Sequence, residues 1–234
     1  MDTTHSPLAP IEMPQGAATE ASLLGEPDWF YLTREFEALY AFGSSGGSKA
    51  IRKHRRRVRD ALGEVLRSDP PVAPRPPETK PVTAHLSRAL DLGERAALGS
   101  MARAVREVRA RLTWEYGYER MPEALARNYA YCEVLGPRGP IRCDDLILGF
   151  VLFAPGATYP QHSHHDIEES YVSVAGGWSE NNAAVYAPGS LILNRAGQKH
   201  RITTDRADPC LLAYAWVGSR EALADPGMEL PCMG

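Results

Sequence analysis

Gly156-Ala-Thr-Tyr159-Pro160-Gln-His162-Ser-His164-His165-Asp-Ile-Glu168-Glu169-Ser-Tyr171-Val-Ser-Val-Ala-Gly176 decides how the chain folds and what it can hold. His162 and His164 are two residues apart, so on a β-strand both imidazoles point to one face while His165 points away. Asp166 and Glu168 fall in the turn that follows. Glu169 can then return on the next strand and offer a carboxylate to the same centre, with Tyr171 on its face. His200, reached after a Pro188-Gly189 turn and a further strand, closes a set of three imidazoles and one carboxylate. Such a set suits one divalent transition ion (Fe, Mn, Zn, Ni or Co) and leaves coordination positions open for a substrate.

Outward from this stretch, short runs rich in Val, Ile, Leu, Tyr and Phe recur between Gly, Pro, Asn and Asp. They are residues 129–135, 146–153, 169–175, 184–186, 190–193, 201–204 and 210–217. Short strands with regular turn signals predict an antiparallel barrel or sandwich. The N-terminal half reads differently. Residues 1–26 form a polar, Pro- and Gly-containing tail, expected to be flexible. Helices are predicted over about 29–42, 48–67 and 98–112 from apolar positions at steps of three and four, with a shorter one near 122–128. Six prolines between Asp69 and Val82 remove donors and fix φ, so residues 69–82 are predicted to be an extended strap. The organisation expected is a tail at 1–26, a helical region at 27–128, a β-barrel at 129–218 and a C-terminal tail at 219–234.

Composition narrows the function classes. The 234 residues are 44% hydrophobic and 24% charged, with a net charge of −3. That is enough ordinary globular chain to bury a core without staples, and it excludes collagen-like, low-complexity and membrane-bundle classes. The balance also argues against a surface built for nucleic acid or anionic lipid. Lys49–Arg59 holds seven Lys or Arg in eleven residues. Lacking interleaved aromatics or glycine-rich turns, it reads as a solvated helix face. No run approaches the ~18 apolar residues of a membrane span, and no export leader is visible. Cys132, Cys143, Cys210 and Cys232 form no CxxC, so reduced thiols in a cytoplasmic protein are expected.

The segment Gly156–Gly176 matches the first cupin motif, G(X)5HXH(X)3-4E(X)6G, at every defined position. Gly197-Gln-Lys-His200 supplies the Gly-x-x-His of the second, with Arg195 in place of the usual Pro and Thr204 in place of the usual Asn. Within the cupins, Tyr159-Pro-Gln-His162-Ser-His164 followed by Glu169-Ser-Tyr171-Val-Ser-Val-Ala-Gly176 resembles the dimethylsulfoniopropionate lyases, most nearly their DddL-type branch. Four residues separate His164 from Glu169 where several relatives have three, which makes Glu168 a neighbouring candidate. Glu169 alone keeps the spacing to Tyr171 and Gly176.

The resemblance implies a mostly β fold, a C-terminal cupin barrel with an α-helical N-terminal region. It implies His162, His164, Glu169 and His200 as metal ligands, and β-elimination of a small zwitterionic substrate to dimethyl sulfide and acrylate. Tyr171 is then the expected base, because a nearby cation stabilises a phenolate, and Tyr159 a metal-side or substrate-positioning group. The sulfonium end suits aromatic faces, each worth about 0.5–2 kcal/mol. Trp178 and Trp216 are chosen for that role from a group that includes Tyr186 and Tyr214. The same ligand set serves other chemistries, so a cupin dioxygenase, an isomerase or a ligand-sensing regulator is the alternative. Cupins commonly pair, which makes a homodimer possible and leaves open whether the N-terminal helices cover their own barrel or a partner's.

Overall fold

The computed structural model describes residues 21–42, 47–118 and 120–226. The helical part contains α1 (Pro27–Phe42), α2 (Lys49–Ser68), α3 (Leu86–Gly93), α4 (Gly99–Val108) and α5 (Glu123–Asn128). The strands are β1 (Tyr129–Gly136), β2 (Ile141–Arg142), β3 (Ile147–Phe153), β4 (Thr158–His162), β5 (Glu168–Ala175), β6 (Trp178–Glu180), β7 (Val185–Tyr186), β8 (Leu191–Asn194), β9 (His200–Thr204) and β10 (Cys210–Val217), followed by α6 (Arg220–Ala224). They form a six-stranded sheet in the order β2-β1-β3-β10-β5-β8 and a four-stranded sheet in the order β4-β9-β6-β7. All pairings are antiparallel except the two-residue contact of β1 with β2.

Two cores share the six-stranded sheet. Its inner face joins the second sheet around Tyr129, Val151, Phe153, Tyr171, Leu212 and Tyr214. Its outer face carries Val134, Phe150, Leu152, Val172, Val174 and Ala213 against the helices. Since both faces are covered, β3 and β10 are buried along their whole length and show no polar alternation. On α1, Trp29, Leu32, Phe36 and Leu39 turn one stripe inward, and Phe36 meets Phe150 with ring centroids 5.2 Å apart. The helices therefore cover their own barrel.

On α2, Ser48 caps the first turn by accepting from the Ile51 N–H, and Val58, Leu62 and Val65 face the core. Arg52, Lys53, Arg56 and Arg59 lie on its exposed side. The single helix predicted over 98–112 is shorter: α4 ends at Val108 and a 3-10 turn follows at Arg109–Arg111. The reason is tertiary, because the chain must then run extended to pair. Trp114 N donates to Glu78 O at 2.9 Å, and Glu115 exchanges backbone bonds with Tyr131 at 2.7 and 3.0 Å.

The Pro-rich segment 69–82 is extended up to Pro81, where a 3-10 turn begins, and it bridges distant parts of the chain. Leu23 N donates to Pro70 O, Val72 N to Ala21 O and Ala73 N to Pro140 O. Residues 21–26, read with the tail, are thus seated on this strap, with Leu23 buried. The rest of the expected tail, 1–20, lies outside the described residues, as do 227–234 and Cys232. Before them, α6 is capped by Ser219 and buries Leu223. Cys132, Cys143 and Cys210 are free thiols. Among the described residues, no helix is long and apolar enough to cross a membrane.

Candidate active site

The second sheet and β5 bring the chosen residues together. His162 ends β4, His200 begins β9, and the two are cross-strand partners. Pro160 sits where the register of that pair shifts, a place that needs no N–H donor. His164 lies beyond the strand in the connection to β5, so the shared-face argument does not bring it in. Instead its carbonyl accepts from the Gly197 N–H at 2.8 Å, which ties this loop to the turn before β9. Glu169 points inward from β5, whereas Glu168 turns outward to Arg57.

One ligand atom from each of His162, His164, Glu169 and His200 lies within 4.8 Å of the others, and all four residues are buried. His162 Nδ1 is 3.0 Å from Pro160 O and His200 Nδ1 is 3.0 Å from Gln198 O, contacts that orient the rings. The Nε2 atoms of all three histidines and Glu169 Oε2 are buried and meet no partner outside their own set, within which His200 Nε2 and Glu169 Oε2 lie 2.9 Å apart. Four such atoms of metal-ligating type converging on one point fit a single divalent ion.

The charges follow this geometry. Burial raises the Glu169 carboxyl, but His164 and His200 outweigh that and hold it well below the usual carboxylate range. Burial lowers the His200 ring, while its contact with Glu169, 2.9 Å from Nε2 to Oε2, turns the net shift upward. His162 is pushed down to about 3 by burial and then by His200. Tyr171 is driven well above its ordinary value by burial and then by the Glu169 charge.

A narrow cavity opens on this set. Besides His162, His164 and Glu169 its walls are aromatic or aliphatic: Tyr129, Tyr131, Val151, Tyr159, Tyr171, Tyr214 and Trp216. Trp216 lies across from Glu169 in the sheet and donates its indole N–H to Oε1 at 2.6 Å. Trp178 is not at the wall. It packs behind Tyr171, ring centroids 5.8 Å apart, and Tyr186 packs against Trp178 in turn. His165 is 94% exposed and pairs with Asp166. Tyr159 stacks edge-on against His162, and its hydroxyl lies 2.7 Å from that of Tyr118. Burial and then Tyr129 raise Tyr159 well above its ordinary value, and burial pushes Tyr118 up to about 12.

Tyr118, Tyr129 and Tyr131 were not singled out from the sequence. The signal for the last two was present in their i, i+2 spacing on a strand. Tyr118 had none, because the Glu115–Tyr131 pairing delivers it. Gly149 is a companion omission: a Cβ there would lie 2.0 Å from the Cys132 carbonyl oxygen and 2.8 Å from Tyr214, so its absence makes room for the neighbouring strand and for the ring.

This two-sheet jelly roll is a cupin, and it gathers at its inner wall three imidazoles and a carboxylate, a set that could hold a metal ion. Solved cupins of closest interest here share that architecture. The DMSP lyase DddQ of Ruegeria pomeroyi DSS-3 aligns with a TM-score of 0.64 at 23% identity, covering 87% of this chain and 100% of that one. A chain from the crystal structures of the DMSP lyases RdDddP and RnDddQII aligns at 0.61 and 21% identity, covering 82% and 93%. The family model for dimethylsulfoniopropionate lyase matches residues 54–212, and the chain belongs to that family of carbon–sulfur lyases. A Cereibacter sphaeroides protein provisionally named dimethylsulfoniopropionate lyase DddL is 69% identical over 204 residues, 87% of this chain and 88% of that protein.

Proposed function

We propose that this chain cleaves dimethylsulfoniopropionate to dimethyl sulfide, acrylate and a proton, using one divalent ion held by His162, His164, Glu169 and His200. The observation that carries the reading is the convergence of three imidazoles and the Glu169 carboxylate, their ligand atoms within 4.8 Å of one another, beside an aromatic cavity. A bound ion supplies Lewis acidity toward the substrate carboxylate, which makes the adjacent C–H more acidic.

The chain's own residues supply the rest. Tyr171, on the ligand strand beside Glu169, first gives its phenolic proton to solvent and then, as the phenolate, takes the α-proton on its oxygen. In the metal-free site its proton is held tightly, and added positive charge opposes that hold. As the C–S bond breaks, the sulfur leaves as a neutral thioether. Apart from Glu169, the cavity wall holds no carboxylate or permanent cation, so the sulfonium is met by aromatic faces, with Tyr129, Tyr131, Tyr214 and Trp216 placed for it. Trp216 also aims Glu169, and Tyr159 holds His162 by edge contact. Trp178 serves as backing for Tyr171 in this reading. The free thiols of Cys132, Cys143 and Cys210 agree with work in a reducing cytoplasm, and pairing as a homodimer is compatible with helices that already cover their own barrel.

The test is headspace chromatography on purified protein with dimethylsulfoniopropionate, with and without chelator. Metal-dependent dimethyl sulfide and stoichiometric acrylate are expected. Metal-loaded protein that releases neither overturns the assignment.

A further inference from the structure

Behind the site, on the outer face of β5, lies a polar cluster that the reaction does not touch. Ser170 sits between Glu169 and Tyr171, so its side chain points the opposite way, into the interface between barrel and helices, where it is fully buried. Its Oγ is 2.8 Å from the Tyr40 hydroxyl on α1 and 2.8 Å from His54 Nε2 on α2. His54 Nδ1 faces Glu168 Oε2 at 3.6 Å, and Arg57 donates to that same oxygen at 3.0 Å. Arg55 fixes the Tyr40 carbonyl. Val172 and Val174, further along this face, are apolar and packed in the helical core.

The three buried polar side chains in this apolar interface hold one another through the Ser170 hydroxyl, and His54 Nδ1 alone among their polar atoms is left without a hydrogen bond, 3.6 Å from Glu168 Oε2. Ser170, His54 and Glu168 follow the order of a hydrolase triad. Nucleophilic chemistry is nevertheless excluded, since Ser170 Oγ is sealed from solvent and lies across the strand from the cavity. What the cluster does reach is the backbone that carries Glu169 and Tyr171 on either side.

We infer that Ser170, Tyr40 and His54 are positioning residues: by anchoring β5 to α1 and α2 from behind, they set the inward aim of Glu169 and Tyr171. A strand's inward and outward residues share peptide planes, so a restraint on Ser170 limits twist and slip in both neighbours. The helical layer then acts on the site through one serine. This inference rests on reading the His162, His164, Glu169 and His200 set as a metal site.

The test uses the full chain loaded with Co2+, following its visible absorption bands and its release of the ion to excess chelator. Ser170→Ala and Tyr40→Phe are expected to alter the bands and speed release about tenfold. Ser170→Thr, which keeps the hydroxyl, is expected to restore both. Val174→Ala, a destabilising change on the same face, is expected to lower the melting temperature and move neither readout. Wild-type bands and release in Ser170→Ala and Tyr40→Phe overturn the inference. Should Ser170→Ala not fold, Tyr40→Phe, which loses a single oxygen, decides alone. A wild-type protein with no Co2+ bands at all overturns the metal reading first, and the inference falls with it.

Discussion

Trp216 and Tyr171 divide the work around Glu169. The indole N–H occupies Oε1 and leaves Oε2 turned to the imidazoles. Trp216→Phe keeps the ring and removes that donor, so metal affinity is expected to fall about tenfold in a chelator competition. Tyr171→Phe keeps the packing on Trp178 and removes the proposed base. Metal binding is expected to persist while the rate of dimethyl sulfide release drops by about 10²-fold or more, read by headspace chromatography. His200 gives a pH prediction. Its contact with Glu169 raises its pKa, so in the metal-free chain the proton is retained at low pH and lost as pH rises through that value. A divalent ion needs the same Nε2 lone pair. Uptake should therefore release a proton and weaken as pH falls, measurable by calorimetry in buffers of different ionisation enthalpy.

At the scale of elements, β5 is the pivot, with Glu169 and Tyr171, the proposed ligand and base, on one face and the helical core on the other. Its turn end depends on Gly176, whose φ of +77° and close approach to Pro209 O, 2.4 Å from a would-be Cβ, leave no room for a side chain. Gly176→Ala is expected to destabilise the fold by about 2–3 kcal/mol, read as a lower chemical-denaturation midpoint. The strands β5 and β10 and the helices α1 and α2 were legible because their apolar patterns run long enough to declare a period. The strand β4 was read only as the one assumed to carry His162 and His164, and β6 and the helix α3 were not read. Pro160 masks β4, β6 has only three residues, and α3 spans eight.

The molecule as a whole is a barrel whose outer face is completed by its own N-terminal helices and laced by the Pro-rich strap. Phe150, Leu152, Val172 and Ala213 face those helices rather than solvent. A chain trimmed to residues 113–226 is expected to be insoluble or to bind a hydrophobic dye strongly, while the full chain does not. In the intact protein, Phe36→Ala should cost about 3–5 kcal/mol of stability, since Phe36 is fully buried against Phe150.

The candidate ligand set, the β-barrel class and the family resemblance were legible in the sequence, because motif spacing marks His162, His164, Glu169 and His200 as one set, although the tie of the His164 carbonyl to Gly197 and the pairing of β4 with β9 are what bring them together. The position of Trp216 rather than Trp178 at the cavity wall and the arrival of Tyr118 were decided only in three dimensions. In each case the deciding contact joins residues far apart in the chain: cross-strand register sets Trp216 beside Glu169, and the Glu115–Tyr131 pairing carries Tyr118 to Tyr159. A linear pattern encodes periodicity and local spacing, whereas these choices depend on which surfaces meet once both cores have closed.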